Sequence, residues 1–194
     1  MRIPSQAEKW TLAAHEIGHA AVAVLDGDAT PLRYVTIIPK SGALGESYGL
    51  PKLDEVMMSK KKVFGNIKAY LAGRISEIMW NGHSTTACSG DVKEANKLAY
   101  LSVKKYGFSD DLGRISIDDE LDPGPELKNR IDSAAQKIIS SCELEVSILL
   151  SKKEINEKWK KLVEELFERE FLDGEYVEKY FNEPLKEGKG VQSC

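Results

Sequence analysis

"AAHEIGHAAVAV", residues 13–24, is the stretch on which the fold turns. From Ala13 to Leu25 only His15, Glu16, Gly18 and His19 interrupt a run of alanine, valine, isoleucine and leucine. A helix that is apolar on nearly every side is a buried helix. Burying two imidazoles and a carboxylate is costly unless something inside meets them. The spacing is HExxH: on a helix, His15 and His19 project from one face, one turn apart, so both can reach a single zinc ion. Glu16 projects beside them, off the ligand face, where it can take a proton from water and later deliver it to a departing amine. The rival reading is a histidine pair satisfied by hydrogen bonds, with Glu16 in solvent. The apolar setting favours the metal.

Around this helix the chain reads as mainly α with a small β element. Ser5 and Glu8 form a capping-box pattern, which starts the helix near Gln6; "DGD" ends it around Gly27. "RYVTIIP" (33–39) is β-branched and bounded by prolines, hence a strand, followed by a glycine-rich turn and a short extended piece over 41–51. Within that strand Val35, Thr36, Ile37 and Ile38 are expected to offer an open edge to which an extended substrate adds by main-chain hydrogen bonds. The alternative is a strand fully paired in its own hairpin. A helix over 61–80 carries Phe64, Ile67, Leu71, Ile75 and Ile78 on one side. Gly65, Ala69 and Gly73 form a neighbouring small-residue stripe that admits another helix. A loop (81–91), a helix (92–106) closed by Gly107, and two amphipathic helices over 126–150 and 154–170 complete the outline. The expected organisation is a zinc-binding catalytic part over 1–108, a polar connection over 109–125, a C-terminal helical part of the same domain over 126–181, and a tail over 182–194.

With 194 residues, 42% of them hydrophobic, the chain can bury one good core. A net charge of −4 and the lack of any basic stripe argue against nucleic acid. Three scattered cysteines without a CxxC fit a reducing compartment. No run approaches the roughly 20 apolar residues of a membrane span, and the N-terminus lacks the apolar core of a secretory signal. A soluble, cytoplasmic protein is expected.

A catalytic zinc usually has three protein ligands and one open position. The extended metzincin pattern requires histidine at position 25, which is leucine. His83 sits in a glycine-flanked loop, and Cys88 is soft enough to bind but would close the site. The carboxylate candidates are Glu46, Glu77, Glu94 and Asp91. Asp91 opens a helix whose apolar stripe is Val92, Ala95, Ala99 and Val103, so it can point inward; it can equally be an N-cap with Glu94 as box partner. Spacing leaves the choice open.

"HEIGHA", "VTIIPKSGALGESYGLP", "AGRISEIMWNGHSTTACSGD" and "KKYGFSDDLG" follow one another in the order found in the FtsH-type zinc proteases. The chain resembles the peptidase domain of that family over about residues 5 to 175, the later helical stretches included. The resemblance implies His15, His19 and Asp91 as ligands of one zinc, with Glu16 as base, in a mainly helical domain with a small β element beside the zinc helix. It implies peptidase domains packed as hexamers and an ATPase that feeds them. Two departures stand out. "TTACSGD" places Cys88 where the family usually has glycine or alanine, which opens redox sensitivity or altered loop geometry. The chain also has no GxxxxGK[ST] phosphate loop. It is then a free-standing peptidase or a fragment, and the initial Met with an immediate capping box favours the former. The expected function is a zinc-dependent endopeptidase acting on unfolded or extended polypeptide, with any ATPase partner supplied in trans. The competing class is a non-catalytic binding or regulatory module that retains the peptidase fold. Presence of both histidines, the base and the aspartate argues against it.

Overall fold

The computed structural model describes residues 4–39, 45–49, 57–112, 117 and 124–184. Among these the order is α1 (Gln6–Leu25), β1 (Leu32–Thr36), β2 (Glu46–Gly49), α2 (Lys60–Asn81), a 3-10 turn (Thr86–Cys88), α3 (Ser89–Lys104), α4 (Pro125–Ser151), α5 (Lys153–Arg169), β3 (Phe171–Asp173) and α6 (Gly174–Asn182). The helical part is built around α1. Its start is fixed as the sequence reads: the Glu8 N–H donates to Ser5 Oγ, and the Ser5 N–H donates to Glu8 Oε2 at 2.7 Å. Beyond its first turns α1 is buried, with Ala13, Ala14, Ile17, Ala20, Ala21 and Val22 fully sequestered. It packs on α2, α5, α6 and the sheet.

The α1–α2 crossing is close because small residues face it. A Cβ on Gly18 would lie 2.1 Å from Ser76 Oγ and 2.7 Å from the Ala72 carbonyl oxygen. Of the small-residue stripe read from the sequence, Gly73 faces His15 and His19 of α1, while Gly65 meets the Asp28–Ala29 backbone beyond that helix; Ile78, expected on the buried side, is exposed. Helices α4 and α5 spread over the rest: α4 lies on α2 and α3, α5 on α1. Trp10 stacks on Trp80 and Phe167, and Trp80 meets Trp159 edge to face, forming one aromatic cluster that ties α1, α2 and α5 together.

Two features correct the sequence reading. Helix α3 begins at Ser89, so Asp91 lies in its first turn and Cys88, not Asp91, occupies the cap position. The larger correction concerns the sheet, whose order is β2-β1-β3 with both pairings antiparallel. β1 is therefore the central strand and offers no open edge. Val35 stands opposite Ser47 on one side and Leu172 on the other. Ile37 and Ile38 fall beyond the strand, and the Ile37 N–H donates to the Glu170 carbonyl at 3.0 Å. Val35, Thr36 and Ile37 are buried. Val35 and Thr36 pair with β2 and β3, and Ile37 with the chain's own C-terminal segment, so the open edge expected at residues 35–38 is closed by β3. The glycine-rich turn expected before β2 lies outside the described residues apart from Gly45, as do most of the 109–125 connection and the tail beyond residue 184.

Candidate metal centre

The His15 and His19 rings leave α1 toward α2, and each is held from behind. His15 Nδ1 lies 2.7 Å from Glu77 Oε1 and His19 Nδ1 lies 2.6 Å from the Ala69 carbonyl oxygen, both contributed by α2. A carboxylate and a carbonyl oxygen only accept, so each Nδ1 carries the proton and donates it. In the neutral rings Nε2 is then a lone pair. The two Nε2 atoms are 3.0 Å apart, and Asp91 Oδ2 lies 3.2 Å from the first and 3.5 Å from the second. With both rings neutral, two nitrogen lone pairs and a carboxylate oxygen converge, which is the donor set of a cation site; without a cation, a proton on His15 Nε2 can bridge to Asp91. The nitrogen and carboxylate ligands suit zinc.

The electrostatics agree. Burial by itself would lower the His15 pKa, but the hydrogen bonds to Asp91 and Glu77 override it and push the group up to about 10. This position favours positive charge, and a metal dication meets the same demand. Burial works against ionisation of Asp91 too, yet the two histidines hold its carboxyl far below the usual carboxylate range.

Glu77 is fully buried and does not join the ligand atoms. Besides His15 it accepts the Thr85 main-chain N–H, which pins the loop ahead of α3. Its carboxyl is held low by these two donors against its own burial. Glu77 thus orients the His15 ring from its Nδ1 side and stands apart from the convergent atoms. Glu46 accepts from the Tyr34 hydroxyl at 2.9 Å, Glu94 lies 3.7 Å from Lys97, and His83 is exposed beside the Asn81 carbonyl. Cys88 is buried with its thiol donating to the Thr85 carbonyl, and burial pushes its pKa up. This disfavours the thiolate that oxidation or metal binding needs.

Glu16 is buried beside the histidines, and burial raises its pKa. Ser47 of β2 reaches it: the hydroxyl lies 2.8 Å from Glu16 Oε2. Ser47 had no signal in the sequence, being one polar residue among several in a glycine-rich stretch. His15, Glu16, His19 and Asp91 all open into one cleft of about 710 Å³, walled also by Leu12, Glu46, Ser47, Asn66 and Tyr70. Gly73 lies against the Nε2 ends of the rings, where a Cβ would stand 2.5 Å from His19 Nε2, 2.6 Å from His15 Cε1 and 2.8 Å from His15 Nε2. The rings cannot retreat without breaking their Nδ1 bonds. Gly73→Ala is therefore expected to weaken zinc binding by tenfold or more, measured by competition with a chelator, while the helical circular dichroism is unchanged.

A buried HExxH helix, an inward carboxylate from a second helix and an orienting glutamate define a zinc-peptidase type of site. The comparisons narrow this. The model of peptidase family M41 matches residues 2–180, and the chain belongs to that family. It is similar to the ATP-dependent zinc metalloprotease FtsH 4 of Sorangium cellulosum, 36% identical over 90% of this chain and 29% of the relative. It is 34% identical to the ATP-dependent zinc metalloprotease FtsH of Pseudothermotoga lettingae, over 96% of this chain and 32% of that one. The YME1 subunit of the mitochondrial inner membrane i-AAA protease supercomplex of Saccharomyces cerevisiae is 30% identical over 90% of this chain and 23% of its own length. The chain thus spans about a third or less of the relatives it matches. No helix among the described residues is long and apolar enough to cross a membrane.

Proposed function

We propose that the chain hydrolyses peptide bonds as a zinc endopeptidase, with His15, His19 and Asp91 holding one zinc and Glu16 acting as the base. The observation that carries this is the convergence of one ligand atom each from His15, His19 and Asp91 in the cleft that Glu16 also enters. When bound, zinc supplies a Lewis acid that acidifies water and polarises a carbonyl. Glu16 takes the proton from the attacking water and passes it to the amine nitrogen as the C–N bond breaks. Glu77 and the Ala69 carbonyl hold the rings in the tautomer that leaves Nε2 free throughout.

The substrate is an extended polypeptide that pairs with the outer edge of β2. Among the described residues β2 pairs with β1 alone, and Glu46, Ser47 and Gly49 line the cleft. Recognition through main-chain groups makes side-chain preference loose. A non-catalytic module keeping the same fold has no use for a buried carboxylate held beside the ligand pair, and no observation favours it. Two buried cysteines that form no disulfide, Cys88 and Cys142, support a reducing compartment such as the cytoplasm.

The relatives' names are those of ATP-dependent proteases, whereas this sequence contains no phosphate loop. We assign unfolding to an ATPase module supplied by the same or another polypeptide, with the peptidase domains arranged as a hexamer as the resemblance implies. The chain alone is expected to cut casein and to spare a tightly folded protein, with or without ATP. A domain stable by about 5–15 kcal/mol opens too rarely to present an extended segment. Gel assays of both substrates test this, and ATP-independent digestion of the folded one contradicts it.

A further inference from the structure

We propose that Ser47 is a positioning residue for Glu16, holding its carboxylate folded back toward its own helix within the cleft. This rests on the reading of Glu16 as the base. The Ser47 hydroxyl lies 2.8 Å from Glu16 Oε2 and 2.8 Å from the main-chain carbonyl oxygen of the same residue. It touches both ends of one flexible side chain and folds the carboxylate back toward its own helix. Gly45 flanks the other oxygen, and only the lack of a side chain leaves it room, since a Cβ there would stand 2.6 Å from Glu16 Oε1. Glu16 has three side-chain torsions to freeze, and misplacing a reacting group by about 1 Å can cost on the order of a hundredfold in rate.

A hydroxyl suits this task better than a main-chain N–H, because it donates one proton and also accepts. While Glu16 is ionised, Ser47 donates to Oε2. Once Glu16 has taken a proton from water, the Ser47 proton turns to the Glu16 carbonyl oxygen, and the Ser47 oxygen accepts from the new Oε2–H. The proton on Glu16 then passes to the amine nitrogen and the first arrangement returns. No proton is gained or lost by Ser47 over the cycle. Ser47 also lies on β2, the strand proposed to carry the substrate, so the base is indexed to the same backbone that aligns the scissile bond.

The test compares Ser47→Thr with Ser47→Val, which share a shape and differ in the hydroxyl. Ser47→Val is expected to lower kcat on a short unstructured peptide tenfold or more, with KM within twofold of wild type. Ser47→Thr should stay within threefold in both. Zinc content by elemental analysis should be equal in all three. Ser47→Ala, which adds no bulk, should reproduce the loss seen with valine. In a Glu16→Gln background the peptide dissociation constant, read by fluorescence anisotropy, should be unaltered by Ser47→Val. Wild-type kcat in Ser47→Val or Ser47→Ala overturns the proposal, as does a rise in KM at constant kcat, weaker peptide binding in the double variant, or a threonine variant as impaired as the valine one. An inactive wild type, or a Glu16→Gln variant as active as wild type, instead defeats the reading of Glu16 and takes this proposal with it.

Discussion

Glu16→Gln is expected to retain its zinc and to lose about 10²–10⁴-fold in kcat, the usual range for removing a general acid–base group. The exchange is nearly isosteric. The glutamine carbonyl oxygen can still accept from Ser47, so packing in the buried site changes little. What disappears is the ability to take a proton from water and return it to the amine. Because Glu16 is not among the converging ligand atoms, metal content should be unaffected. Elemental analysis beside peptide turnover separates the two roles. Loss of zinc together with activity would make Glu16 part of the metal's support instead.

Asp91→Ala should show the opposite pattern, losing the metal first and activity in proportion. Among the described residues its carboxylate oxygen is the sole one in the convergent group, and the histidines favour its ionised form. Without it two neutral nitrogens are left, and a zinc held by two protein ligands is readily stripped. The variant is expected to come out of a chelator wash essentially metal-free while wild type keeps about one zinc per chain. Glu77 cannot take over, since both its oxygens are engaged, one by the far nitrogen of His15 and the other by Thr85. Full zinc retention in Asp91→Ala would show that another group completes the site.

The parts of this fold legible from sequence are those decided by neighbours along the chain. The capping box at Ser5, the apolar run around His15 and the small-residue stripe on α2 each state their outcome locally. The convergence of Asp91 with the histidines became readable through the order of several blocks, because a helix's first-turn aspartate looks the same whether it caps, binds metal or faces water. The centrality of β1 was not legible. Its second partner is a three-residue strand, Phe171–Asp173, more than 130 residues away, too short to show a period of its own. The same holds for Glu77 and Ser47. Glu77 stood out as a charge within "RISEIMW", yet only the crossing of α1 over α2 brings it to the far side of His15. Ser47 acquires its role from β2 folding over Glu16, which nothing in "LGESYGL" announces. Ile78 fell outside the core because the helices packed on α2 leave its last turns partly uncovered.

The claim on which everything else depends is that one zinc sits among His15, His19 and Asp91. Anomalous diffraction from crystals of the chain, collected on either side of the zinc absorption edge, tests it directly. A single strong peak is expected within about 2.0–2.2 Å of His15 Nε2, His19 Nε2 and an Asp91 carboxylate oxygen, with Glu16 beside it and not bound. A peak coordinated by Glu77, Cys88 or His83, or no peak in protein loaded with zinc, would contradict it.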